Sequence, residues 1–150
     1  MSDPTESPDG VDPADRETEL DRLAAAVRVE ATRETLEPLW RGTMNLDRWY
    51  FPAVGDFPNL SPFAGMIDGE GYVMAFTQRE RAERYAASQG LVAESERPRI
   101  LAFPPVQAAK LCVQQHDRGA NWVVFDRGWA GWRFLLADLA GIMTRYRDSD

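Results

Sequence analysis

DGEGYVMAFTQRERAERYAASQG, residues 68–90, reads as a turn, a strand and a helix in direct succession. Asp68-Gly69 suits backbone angles with φ > 0 and marks a tight turn. Residues 72–76, YVMAF, are apolar, rich in β-formers and of strand length. Thr77 and Glu80 have the spacing of a capping box: the Thr77 hydroxyl would accept from the residue 80 N–H, and the Glu80 carboxylate from the Thr77 N–H. That box predicts a helix over residues 78–88, stopped by Gly90 as a left-handed cap. Ala82, Tyr85 and Ala86 form its apolar side, and Arg79, Arg81 and Arg84 are expected on other faces.

Upstream, residues 1–19 hold seven acids and one base, Arg16, with Pro and Ser between them. So few apolar side chains cannot offset the entropy of ordering, so a disordered acidic tail is expected, dispensable for folding. From Leu20 the pattern turns helical, with Leu20, Leu23, Ala24, Val27 and Ala31 on one side, then Leu36, Leu39 and Trp40. Pro38 lacks an N–H, which predicts a kink or break near Leu36. Arg48-Trp49-Tyr50-Phe51 reads as an edge strand ended by Pro52. A loop over residues 53–62 follows, with Phe57 and Leu60 as expected anchors, and residues 63–67 pair with the Tyr72 strand as a hairpin.

Downstream of Gly90 a polar link, residues 93–98, leads to a strand at 99–103. Pro105 suits the first turn of a helix over residues 106–115, with Ala109, Cys112, Val113 and His116 on one side. Residues 121–125 form the next strand, and Asp126-Arg127-Gly128 turns it back toward a returning strand at 129–132. Leu135, Leu136, Leu139, Ile142, Met143 and Tyr146 outline a terminal helix. This order is α+β: a mixed, largely antiparallel sheet with helices packed mainly on one face, in one domain over residues 20–147.

Several residue sets now combine: Trp49-Tyr50-Phe51-Pro52, Asp68-Gly69, Ala75-Phe76-Thr77, Arg81-Ala82 with Tyr85-Ala86, and Phe103-Pro104. Together they resemble the N-terminal domain of the SseB family, bacterial proteins named for enhanced serine sensitivity, over residues 20–146. The resemblance implies a compact α+β domain of poorly defined biochemical role and supplies no catalytic residues.

Charge and composition narrow the function classes. The formal net charge is −7, but beyond residue 19 there are 17 acids and 16 bases, so the body is nearly neutral and a nucleic acid partner is disfavoured. One cysteine permits no internal disulfide and fits a reducing, cytoplasmic compartment. No signal segment or apolar span is visible, so no membrane association is expected. Asp68-Gly69-Glu70-Gly71 lacks the further ligands of a calcium loop, and one Cys with one His makes a poor zinc set, so neither metal nor cofactor is expected.

Cys112 and His116, four apart on a helix, would share a face, but a buried structural thiol is the better reading than a nucleophile. Trp129 and Trp132 flank Gly131 on a strand that alternates, so one indole is expected inside and one partly exposed beside Arg127 or Arg133. Tryptophan and arginine are enriched at binding hot spots. The leading expectation is a non-enzymatic protein-interaction or regulatory module that binds a protein partner through Trp129, Trp132, Arg127 and Arg133. Its rivals are a small enzyme or small-molecule binder with a cleft near Cys112 and His116, and an immunity-type protein that blocks a toxin.

Overall fold

The computed structural model describes residues 12–55, 58–91 and 97–148. Residues 1–11 of the expected tail, Phe57 and most of the 93–98 link lie outside the described residues. In chain order come α1 (Glu19–Val29), α2 (Arg33–Met44), β1 (Trp49–Val54), β2 (Ser61–Pro62), β3 (Ala64–Ile67) and β4 (Glu70–Ala75). They are followed by α3 (Arg79–Ser88), β5 (Ile100–Phe103), α4 (Pro105–Gln114), β6 (Ala120–Phe125), β7 (Trp132–Leu135) and α5 (Leu136–Tyr146). The fold is α+β.

Among the described residues the strands form two sheets, β2-β1-β5 and β3-β4-β6-β7, in which β4 and β6 alone run parallel. Where one mixed sheet was expected, Tyr50 and Phe76 bridge the two by exchanging backbone bonds of 2.9 and 2.8 Å. Pro52 does not end β1, because that strand continues to Val54. The Asp68-Gly69 turn links β3 to β4 with φ of 52° and 83°, the left-handed pair that a tight hairpin needs.

Alternation along β4 and β6 sorts the side chains into two cores. Val73, Ala75, Val123 and Phe125 join a cluster that includes Leu20 and Ala24 of α1, Leu39 and Met44 of α2, Cys112 of α4 and Leu139 of α5. Tyr72, Met74 and Phe76 join a smaller cluster with Ala82 of α3, against which Tyr85, Trp122, Val124 and Trp129 pack. α3 is therefore set apart from the other four helices.

Two helix boundaries differ from the expectation. The break falls at residues 30–32, and Pro38 sits inside α2. Thr32 and Thr35 cap one another across the start of α2, and the Thr35 hydroxyl donates to the Glu30 carbonyl at 2.7 Å. These bonds compete with the continuing helix and stop it before proline could. At α3 the N-cap is Gln78, which makes no side-chain cap bond. Thr77 faces elsewhere, as described below.

Gly71 holds β4 against the start of β6. A Cβ there would lie 2.4 Å from the Gly119 carbonyl oxygen and 3.1 Å from the Ala120 Cα, both backbone atoms that cannot rotate away. Gly71→Ala should cost about 1–3 kcal/mol, as overpacking does. A urea titration that found it neutral would mean the β4–β6 crossing is looser than this geometry.

Candidate interaction surface

The surface is built on a buried ionic cluster. Arg81 is fully buried and faces inward, not outward as its place among the α3 arginines suggested. Its Nε donates to the Ala14 carbonyl at 2.9 Å, Nη1 to Asp21 at 2.9 Å and Asp126 at 2.8 Å, and Nη2 to Asp21 at 2.7 Å and the Arg16 carbonyl at 3.1 Å. Five N–H donors meet five acceptors, which is all that a guanidinium can offer. Asp126, also fully buried, takes the Thr77 N–H and hydroxyl at 2.8 Å each. Thr77 thus ties β4 to the β6 turn instead of capping α3. Asp126 has φ of 52°, a left-handed angle that Asp tolerates better than most side chains, and Gly128 follows at 103°.

The last part of the acidic stretch belongs to this cluster. Residues 12–18 are ordered: Pro13–Asp15 is a 3-10 turn whose Ala14 is buried, and Thr18 and Asp21 form the capping box of α1. Arg84 pairs with Asp12 at 2.7 Å and with Asp15 at 2.5 Å. The Arg84 hydrogen bond holds the exposed Asp15 carboxyl below its ordinary value. Composition alone misjudged these residues, because their acceptors serve two arginines more than sixty positions away.

Trp129 closes the cluster from outside. It is half-buried, with Arg81 at 5.0 Å and Arg84 at 5.8 Å from its ring centre, and Phe76 edge-on at 6.2 Å. Its Nε1 donates to Asp15 at 3.2 Å. It sits in the turn before β7, since that strand starts at Trp132. Trp132 is buried at 9% exposure, stacked on Phe125 at 5.8 Å, with its Nε1 donating to the Thr43 hydroxyl at 3.1 Å. One indole in and one partly out is the expected arrangement, though a turn and not strand alternation produces it.

Beside Trp129 opens a groove of about 670 Å³. Arg127, Trp129, Trp132 and Arg133, singled out from the sequence, all line it, together with Arg28, Tyr85, Ser88, Gln89 and Val124. Arg127 stands beside the Tyr85 hydroxyl, whose pKa burial raises against that cation. Arg28 donates to the Gly131 carbonyl at 3.4 Å. Arg133 differs from expectation: it lies over Trp122, 3.9 Å from the ring centre, and bonds the Tyr72 hydroxyl, leaving Trp129 to α3. Register explains this, because Trp122 and Val124 stand opposite Leu135 and Arg133 and share one sheet face. Arg133 and Leu135 on that face are exposed, and Trp122 is half-buried. Arg28 is the groove cation that the sequence reading left out, and Trp122, noted with Trp129 and Trp132 in the sequence, was not expected beside Arg133.

No family model and no curated protein matches the chain.

Cys112 and His116 do not meet in a cleft. The α-helix ends at Gln114 and continues as a 3-10 turn, Gln115–Arg118, so positions four apart no longer share a face. Gln115 turns inward, His116 is exposed, and the inward side of α4 is Pro105, Ala108, Ala109 and Cys112, with Val113 outside. Cys112 has no exposure, and burial alone pushes its thiol far above the ordinary range. It should react with thiol reagents only as fast as the protein opens, and Cys112→Ala should leave any groove-dependent binding intact. Rapid labelling of the native protein at neutral pH would show an accessible thiolate instead. Among the described residues, no three His, Cys, Asp or Glu side chains converge as a metal set, and no helix is long and apolar enough to cross a membrane.

Proposed function

We propose that the protein is a non-enzymatic interaction or regulatory module that contacts a protein partner through the groove between the end of α3 and β7. The observation that carries this reading is the convergence of Arg127, Trp129, Trp132 and Arg133 with Arg28 and Tyr85 on one open concavity. A half-buried tryptophan flanked by arginines is what interface hot spots are made of. The ionic cluster beneath it holds Trp129 in place before any partner arrives, which lowers the ordering cost of association. The resemblance to the SseB N-terminal domain, a bacterial family, supplies no catalytic residues that would argue against this reading, and the single cysteine fits a reducing, cytoplasmic compartment.

Affinity capture from the native cell tests it, comparing the intact chain with Trp129→Ala and Arg127→Ala. A protein held by the first and lost from both variants, each still folded at the temperature of the capture, supports the groove as the contact. Equal capture by all three would place the contact elsewhere.

A further inference from the structure

Resting on that reading, we infer that the partner presents an acidic peptide segment, and that its carboxylates are received by Arg28, Arg127 and Arg133. All three arginines line the groove, and no acidic residue lines it with them. Among the described residues, none of the three is in an ion pair: Arg28 holds a carbonyl, Arg133 holds the Tyr72 hydroxyl, and Arg127 stands beside the Tyr85 hydroxyl. Neutral acceptors of this kind keep a guanidinium oriented while leaving its charge uncompensated. The acids nearby in sequence and in the adjoining hollow are already engaged, Asp126 by Arg81 and Asp15 by Arg84. Three uncompensated cations on one concave surface, in a body that is otherwise balanced in charge, form a complement for a partner carrying a few acids.

Peptide is favoured over polyanion by the rest of the lining. Ser88 and Gln89 at the end of α3 are neutral and can serve peptide amides and carbonyls, and Trp129, Trp132, Tyr85 and Val124 supply apolar surface between the arginines. Asp12 and Asp15 stand on the flank that adjoins the groove. A phosphate chain running past those carboxylates would be repelled, whereas a short segment with two or three acids would stop before them.

A displayed library of random twelve-residue peptides, panned against the immobilised full chain, reads the preference directly. Enriched peptides should carry at least two Asp or Glu beside an apolar residue. Arg127→Glu and Arg28→Glu should weaken their binding by at least about tenfold, and added salt should weaken it in the intact chain. Arg133→Glu provides a third variant, to be used if its thermal midpoint matches the intact chain. Enriched peptides without acids that still depend on Arg127 and Trp129 would overturn the acidic preference and leave the interaction reading standing. Peptides indifferent to every groove variant would overturn both. Tighter groove-dependent binding of a labelled single-stranded oligothymidylate, or a dimer in sedimentation that Arg127→Glu dissolves, would overturn the acidic peptide in favour of nucleic acid or a second copy.

Discussion

Arg81→Ala should destabilise the protein by about 3–5 kcal/mol, the cost of removing one partner from a buried ion pair. The guanidinium is fully buried, and its loss strands the Asp126 carboxylate, equally buried, and frees Asp21. Arg81→Lys rescues little, because an ammonium has three donors where five acceptors wait. Asp126→Ala should cost a similar amount, since Arg81, the Thr77 N–H and the Thr77 hydroxyl all lose an acceptor. Charge neighbours couple, so the double variant should cost clearly less than the two singles together. Urea titration of the four proteins measures this. A loss below about 1 kcal/mol for Arg81→Ala would put the cluster in the class of exposed surface pairs.

The cluster also gives a signature in pH. Two carboxylates share one guanidinium, so with both ionised it holds a net negative charge. At Asp126, burial pushes the pKa up, against Thr77 and Arg81. At Asp21, burial acts the same way, but the bonds from Arg81 and Thr18 outweigh it and hold the carboxyl below its ordinary value. The two contributions have opposite signs. That of Asp21 is present above the ordinary value of 3.8 and fades as pH falls through its lowered pKa. That of Asp126 is complete below 3.8 and fades as pH rises through its raised pKa. Asp126→Asn cannot ionise, so its stability deficit should narrow as pH rises from 4 toward 7. A deficit that widens over that window would mean the native Asp126 carboxyl lies below its ordinary value.

The parts of this fold that local chemistry decides were legible from the residues. The Asp68-Gly69 turn, the apolar YVMAF strand, the α3 boundary near Ser88 and the apolar side of the terminal helix all depend on neighbours within a few positions. The ionic cluster depends on partners 45 to 67 positions apart, and each member has a local reading that hides it. Arg81 looks like one more charge on a polar helix face, Asp126 like a turn residue, and Thr77 like a cap. Asp12 and Asp15 look like solvated acids until Arg84 is brought against them. The groove fell between these cases. Trp129, Trp132, Arg127 and Arg133 lie within seven positions of one another, so their convergence could be read, whereas Arg28 arrives from α1 about a hundred positions earlier.

Trp132→Ala and Trp129→Ala should separate stability from binding. Trp132 lies against Phe125 and under Thr43, and Trp49 donates its own Nε1 to the Thr43 carbonyl at 3.0 Å while standing edge-on to Phe125 at 4.8 Å. Removing the Trp132 indole empties a site enclosed by rigid strands and leaves the Thr43 hydroxyl without its donor. About 3–5 kcal/mol is the expected loss, as for other large core truncations. Trp129 has protein on one side and the groove on the other. Its removal forfeits the Asp15 bond, the edge contact with Phe76 and two cation–π contacts, yet Arg81 keeps all five acceptors. A loss of about 1–2 kcal/mol follows for those contacts. Urea titration supplies both numbers, and peptide or partner binding by each folded variant supplies the other axis. Trp129→Ala should bind poorly while remaining folded. If it binds as the intact chain does, the indole serves only to cover Arg81, and the groove has lost its aromatic anchor.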